Sequence, residues 1–208
     1  MSRQVSGRVS GLRAILTIVS ALVLLGAGGA GPAAAQAAAP AQENSSRPES
    51  LQPGDAFGEE VNLPEQTIIF FAGTGQWDNA FETIVDGFKA VNGYLKKAGL
   101  KPSGPPMTIY TSTNDTSFQF RAAFPIAAPP KDKPPTGDIA VAKTSPGKAF
   151  KFVHRGSYDD MDTTYDAITN FLDENRLDAK DLFIEQYVTD PVTTPEDKLV
   201  VEVYVPVK

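Results

Sequence analysis

Cysteine is missing from this chain altogether, and histidine and tryptophan occur once each, as His154 and Trp77. Without cysteine there is no disulfide, no thiolate metal site, no cysteine nucleophile and no thiol-linked lipid anchor, so stability has to come from an ordinary apolar core. One histidine cannot build a His-based metal cluster. Beside Arg155 it reads as a surface residue at a strand end rather than a haem ligand, and no metal or cofactor is expected. The serine-nucleophile pattern GxSxG does not occur. "AGTGQW" at 72–77 has two glycines but neither the GxGxxG context nor a Walker lysine, and carries no nucleotide role.

Positive charge is also scarce where it would matter for nucleic acid. The whole chain has 19 Lys and Arg against 25 Asp and Glu. Three of the bases, Arg3, Arg8 and Arg13, lie in a leader without acids, so residues 36–208 retain 16 against 25, a formal charge of −9. Phosphate binding needs clustered bases, which excludes nucleic acid as an expected partner, and an acidic surface attracts cationic solutes instead. The leader has the three-part layout of a secretory signal: the arginines, the apolar run from Ala14 to Gly31, then small residues ending at Ala35 before Gln36. Cleavage near Ala35 implies a periplasmic or secreted protein with no stable membrane span. The 18-residue run approaches spanning length, so an uncleaved anchor is the alternative. Residues 36–57, rich in Ala, Pro, Ser and Gln, bury too little to offset their ordering entropy and read as a disordered tether.

Residues 58–208 are a duplication with halves at about 58–127 and 138–208. An offset of 82 lays Pro64 on Pro146, Ile68 on Phe150 and Phe70 on Phe152. An offset of 77 lays Phe88 on Tyr165, Val91 on Ile168, Leu95 on Leu172, Met107 on Ile184 and Tyr110 on Tyr187. The drop of five implies a first helix longer by more than a turn. TIIFFA and KAFKFVH have strand composition, while Phe81, Ile84, Val85, Phe88, Val91 and Leu95 recur three and four apart, as do Met161, Tyr165, Ile168 and Leu172. Each half is therefore strand, helix, strand, strand, with an additional strand before it near 58–62 and 138–143, and AAPPKDKPPTG links them. Neither half has enough strand to stand alone. The expected fold is α+β: an antiparallel sheet, two helices on one face and a ligand groove at the pseudo-twofold.

The second half carries a Gly-x-Tyr turn (Gly156, Tyr158) before its helix, a strand with Glu185 and Tyr187 two apart, then Asp190-Pro191, and a closing strand ending in Pro206. In that order these features resemble the GyrI-like small-molecule-binding domain, the effector-binding domain of bacterial transcription activators. The resemblance covers about 58–208 and implies a pocket between the halves that takes apolar, often cationic, organic molecules against aromatic rings and a buried Glu. A leader and a tether stand where a DNA-binding segment would be, which implies a stand-alone exported form that does not itself regulate transcription. Some stand-alone relatives are hydrolases of strained rings, so an enzyme is a second reading. The haem-binding SOUL family shares the duplicated architecture but not these motifs.

Glu185 is the focal residue. Side chains alternate along a strand, so Phe183, Glu185 and Tyr187 share one face of FIEQYV and Ile184, Gln186 and Val188 the other. With the helices over the Ile184 face, the acid would point into the groove. There desolvation raises its pKa until a positive charge or a donor arrives. A lipophilic cation complements it, each ring adding about 0.5–2 kcal/mol through cation–π attraction. The bland alternative is an exposed edge-strand Glu paired with a lysine. Expected ligand contacts are Glu185, Tyr187, Tyr110, Trp77, Phe183 and Tyr158. Trp77 could equally be core, and Tyr165, at helical spacing, reads as core. Three functions are open: a binder of apolar or cationic small molecules, a hydrolase with Glu185 as general acid or base, or a structural envelope module whose groove is filled by its own side chains.

Overall fold

A computed structural model describes residues 48, 50–131 and 134–208. The leader expected over 1–35 and most of the tether lie outside the described residues. Eight strands and two helices come in the order β1 (Phe57–Leu63), β2 (Thr67–Gln76), α1 (Ala80–Ala98), β3 (Met107–Thr113), β4 (Ser117–Pro125), β5 (Ile139–Lys143), β6 (Gly147–Gly156), α2 (Met161–Glu174), β7 (Phe183–Tyr187) and β8 (Leu199–Pro206). All the strands form one sheet in the order β1-β6-β8-β7-β3-β4-β2-β5, antiparallel at every neighbouring pair. The fold is α+β, and β3 and β7 meet at the pseudo-twofold, where Thr108 lies opposite Glu185.

The duplication is visible in the helices. α1 has 19 residues and α2 has 14, the five-residue difference that the two offsets imply. In α1, Ile84, Val85, Phe88, Val91 and Leu95 are buried at the spacing of one helical face. The helix stops at Gly99, whose φ of +68° is the left-handed conformation a side chain resists, and whose N–H bonds back to Leu95 and Lys96. α1 rests on β2 and β4, and α2 on β6.

The halves are not separate sheets, because their leading strands are exchanged. β1 pairs with β6 of the second half, Glu60 opposite Phe150, and β5 pairs with β2 of the first, Phe70 opposite Ala140. Yet β1 runs into β2 across 64–66, and β5 into β6 across 144–146. A chain segment this short spans no more than about 14 Å, so the sheet must curl until its two edges approach. The two connections touch: Thr144 N–H donates to the Gln66 carbonyl at 2.9 Å, and Gln66 N–H to Thr144 Oγ1 at 2.9 Å. Curling encloses the face away from the helices, where Ile68, Phe70, Met107, Ile109, Ala123 and Ile184 form a small cluster of their own.

That enclosure reverses one expectation. The helices cover the Glu185 face, not the Ile184 face, and both are buried. The carboxylate still faces a groove, because the groove lies between the helices. The chain is also ordered earlier than the expected tether boundary at 57: Ala56 O accepts from Val153 N–H at 2.9 Å, Asp55 takes two bonds from Arg155 at 2.6 and 2.7 Å, and Phe57 opens β1 against Phe152. Among the described residues no helix is long and apolar enough to cross a membrane.

The seat of α1 on the sheet gives a test in which two effects oppose each other. A Cβ at Gly87 would stand 2.8 Å from Ala122 Cβ and 3.2 Å from the Phe71 ring. Gly→Ala in a helix gains about 1 kcal/mol in propensity, whereas overpacking against a rigid neighbour costs about 1–3 kcal/mol. Gly87→Ala should therefore lower the urea midpoint, while the same change at Gly93, where nothing lies within 4 Å of the added atom, should raise it.

Candidate functional site

Four elements bring tyrosines to a single carboxylate. Glu185 on β7 is completely buried. Its Oε1 accepts from Tyr165 Oη of α2 at 2.8 Å, and its Oε2 from Tyr187 Oη of the same strand at 3.0 Å and Tyr110 Oη of β3 at 3.1 Å. Tyr158 Oη, from the 3-10 turn Tyr158–Asp160 ahead of α2, reaches Oε2 at 3.2 Å. Tyr110 and Tyr158 also bond to each other at 2.7 Å. Each phenol has one proton to give, so when one of these two donates to the other, only the second has its proton free for Oε2. Three O–H bonds then reach an ionised Glu185 and the fourth supports them in series.

The electrostatics arise from this enclosure. Burial pushes the Glu185 carboxyl above its ordinary value, and the four phenolic bonds, Tyr165 and Tyr187 foremost, pull it back without cancelling the rise. The four phenols are held well above the usual phenol range, by burial first and then chiefly by the charge on Glu185, so they remain protonated donors. The repeat counterpart of Glu185, Thr108, is also fully buried, beside Tyr187.

Above the carboxylate opens a cavity of about 1060 Å³ lined from both halves. Its walls are aromatic: Trp77 lies over Tyr110 with centroids 6.1 Å apart, its indole N–H fixed to Asn114 O at 2.8 Å, and Phe81 of α1 stacks on Tyr158 at 5.0 Å. Phe183 stands edge-on to Tyr165 at 5.9 Å. Around the mouth stand Asp78, Glu82, Asp115, Asp159, Asp162, Asp181 and Glu196, and among the described residues no Lys, Arg or His lines the cavity. None of these seven takes part in an ion pair among the described residues, where Lys89, Lys143, Lys148, Lys151, Arg155 and Lys208 pair with other acids. Asp162 and Glu196 are pushed up, by desolvation first and then by neighbouring carboxylates.

Of the residues singled out by sequence, Glu185, Tyr110, Trp77, Phe183 and Tyr158 line this cavity. Tyr187 does not. It lies behind the carboxylate, fully buried, with its ring against Phe88 at 5.4 Å. Tyr165, which reads as core in the sequence, makes the shortest bond to Glu185 and also lines the cavity. Its seven-residue spacing from Tyr158, two helical turns, is the signal that could have found it. Phe81 and Met161 join the wall from the first turns of the two helices, which helix periodicity alone assigns to the core. His154, expected at the surface, is 2% exposed with both ring nitrogens bonded, because β6 runs under the start of α2.

The family profile described as GyrI-like small molecule binding domain matches residues 59–208. No curated protein matches the sequence. Among solved structures, the chain superposes on the EcmrR C-terminal domain with a TM-score of 0.61 at 15% identity, covering 74% of this chain and 98% of that one. Against EcmrR in its complex with DNA the TM-score is 0.62 at 14% identity, over 73% of this chain but only 57% of the other. SAV2435 bound to tetraphenylphosphonium gives 0.51 at 15% identity, over 73% and 94%. At these identities the likeness is one of fold.

The buried acid makes stability depend on pH with a definite sign. The folded-state pKa of Glu185 exceeds its unfolded value, so the fold takes up a proton there more readily than the open chain. The stability this contributes is complete below the ordinary carboxylate range and is lost as pH rises through the folded-state pKa. Glu185→Gln should raise the denaturation midpoint at neutral pH, and the gain should shrink to nothing in acid; urea melts across that range measure it.

Proposed function

Because the chain belongs to the GyrI-like small-molecule-binding domain family, we propose that its cavity binds a lipophilic organic cation, with Glu185 as counter-charge and Trp77, Tyr110, Phe81 and Tyr158 as walls. The observation that carries this reading is the pairing of a fully buried carboxylate with a mouth that holds seven acids and, among the described residues, no base. A neutral guest would leave the charge of the desolvated carboxylate opposed only by its phenolic hydrogen bonds, and an anion would be repelled at both depths. A cation favours the ionised acid and gains ring-face attraction on the way in. The tetraphenylphosphonium bound to SAV2435 is such a cation and is the probe we would use first. The leader makes an exported compartment part of the proposal, tested by fractionation and by an N-terminus near Gln36 on the mature protein.

A hydrolytic use of the same carboxyl is the second reading, favoured by a raised Glu185 among hydroxyl donors. There Glu185 would take a proton from water as its oxygen adds to one carbon of a strained ring, the ring C–C bond would break, and the proton would pass to the other carbon. A product heavier by one water, formed by wild type and not by Glu185→Gln, would establish it.

Tetraphenylphosphonium should raise the melting temperature and change Trp77 fluorescence, and Glu185→Gln should weaken binding about thirtyfold or more, since truncating one member of a buried charge pair costs about 2–5 kcal/mol. Equal binding of the neutral isostere tetraphenylmethane would overturn the charge assignment. Affinity should also fall as pH drops through the Glu185 pKa, because protonation removes the counter-charge. The exposed mouth acids predict a second signature: association slows with added salt as the Debye length shrinks from about 10 Å at 0.1 M to about 3 Å at 1 M.

A further inference from the structure

Among the described residues, the one buried titratable side chain that this mechanism leaves unused is His154, and it sits where two of the four tyrosines are anchored. On β6, opposite Val201, it is 2% exposed. Its Nε2 is 3.0 Å from the carbonyl of Ser157, the residue before Tyr158, and its Nδ1 is 2.8 Å from Oγ1 of Thr164, the residue before Tyr165. A carbonyl only accepts, so Nε2 carries the proton. Nδ1 of the neutral ring is then an acceptor, and the Thr164 hydroxyl, 2% exposed, is its donor. One imidazole thus ties the turn that carries Tyr158 and the helix that carries Tyr165 to the same point of the sheet. The preceding Gly156 has φ +121°, a conformation side chains rarely adopt, and it turns the chain out of β6 at this place.

We propose that His154 is a positioning residue: its neutral imidazole sets Tyr158 and Tyr165 on Glu185, and protonating the ring weakens ligand binding. The step rests on the cation-binding reading of the cavity. A protonated ring has a donor at both nitrogens, so Thr164 must turn its hydroxyl from giving to accepting and find a new acceptor inside the protein. Of the charged groups, Asp160 in the 3-10 turn acts on the ring; Asp162 stands in the first turn of α2, Glu196 beside Ser157, and the Arg155–Asp55 pair next along β6. Burial pulls His154 below its ordinary value, against opposing contributions from the Ser157 carbonyl and Asp160. Depressed in the fold, the ring favours folding fully above the ordinary histidine range, and that contribution is lost as pH falls.

Because His154 is the sole histidine of the sequence, its ring nitrogens can be followed by NMR in the full chain without assignment ambiguity. The free protein at neutral pH should show the Nε2–H tautomer, and saturating tetraphenylphosphonium should lower the His154 titration midpoint. His154→Gln supplies a donor and an acceptor but no titration, and should bind within about twofold of wild type; His154→Leu, which supplies neither, and Thr164→Val should lose about three- to tenfold for the bonds removed. Circular dichroism and melting curves identify a variant that has failed to fold, in which case Thr164→Val and the wild-type titration decide. A folded His154→Leu that binds as wild type, or a His154 midpoint indifferent to saturation, overturns the proposal. If wild type does not bind the probe at all, the cation reading fails by itself. The positioning role is then judged without ligand: the ring-carbon shifts of Tyr158 and Tyr165 should titrate with His154, and absence of that coupling ends it.

Discussion

A carboxylate taken wholly out of water, with four phenols turned toward it, is the constraint around which the domain is organised. None of the four tyrosines is free to be elsewhere. Tyr110 comes from the first half, Tyr187 from the strand of Glu185 itself, and Tyr158 and Tyr165 from the turn and helix above it. The charge draws β3, β7 and the start of α2 into register, and each hydroxyl that stabilises it would otherwise be an unsatisfied buried donor. The arrangement is adequate without a guest but not optimal, since burial still outweighs the hydrogen bonds in raising the acid. That residual imbalance is what a cation would relieve.

How much of this is legible in the sequence depends on which periodicity governs each residue. The duplication, the α+β class and the five-residue difference between helices come from the spacing of apolar residues, and the structure reproduces them. Glu185 stands out because a strand of alternating apolar residues has no ordinary use for an acid. Tyr165 and Tyr187 mislead for opposite reasons. Tyr165 keeps helical spacing and looks like core, but its hydroxyl extends past the core to the acid. Tyr187 has the right parity to face the groove, but α1, through Phe88, covers it. His154 misleads because a strand-end position says nothing about the turn that folds back over it.

The side of the sheet is the larger departure, and its cause is the curl. In a flat sheet the face away from the helices is wet, so a buried Ile184 argues for helices above it. Here the exchanged strands and three-residue connections roll the edges together, and Ile184 is buried with Met107, Ile109 and Phe70 on the inside of the roll. Both faces of β7 and of Met107–Tyr110 in β3 are therefore enclosed. Alternation along these strands separates two interiors rather than inside from outside.

The exchange of β1 and β5 also bears on how the polypeptide reaches its final shape. β1 precedes β2, but its partner β6 lies some ninety positions later, as in Glu60 opposite Phe150, and β6 in turn pairs with β8. Within the first half β2, β3 and β4 pair with one another, but β1 and β5 take their places only against strands of the other half. Such long-range pairing defers completion of the sheet until both halves are at hand. The acid shares this dependence, because the strand that carries Glu185 is seated on β3 of the other half and is enclosed only when the two meet.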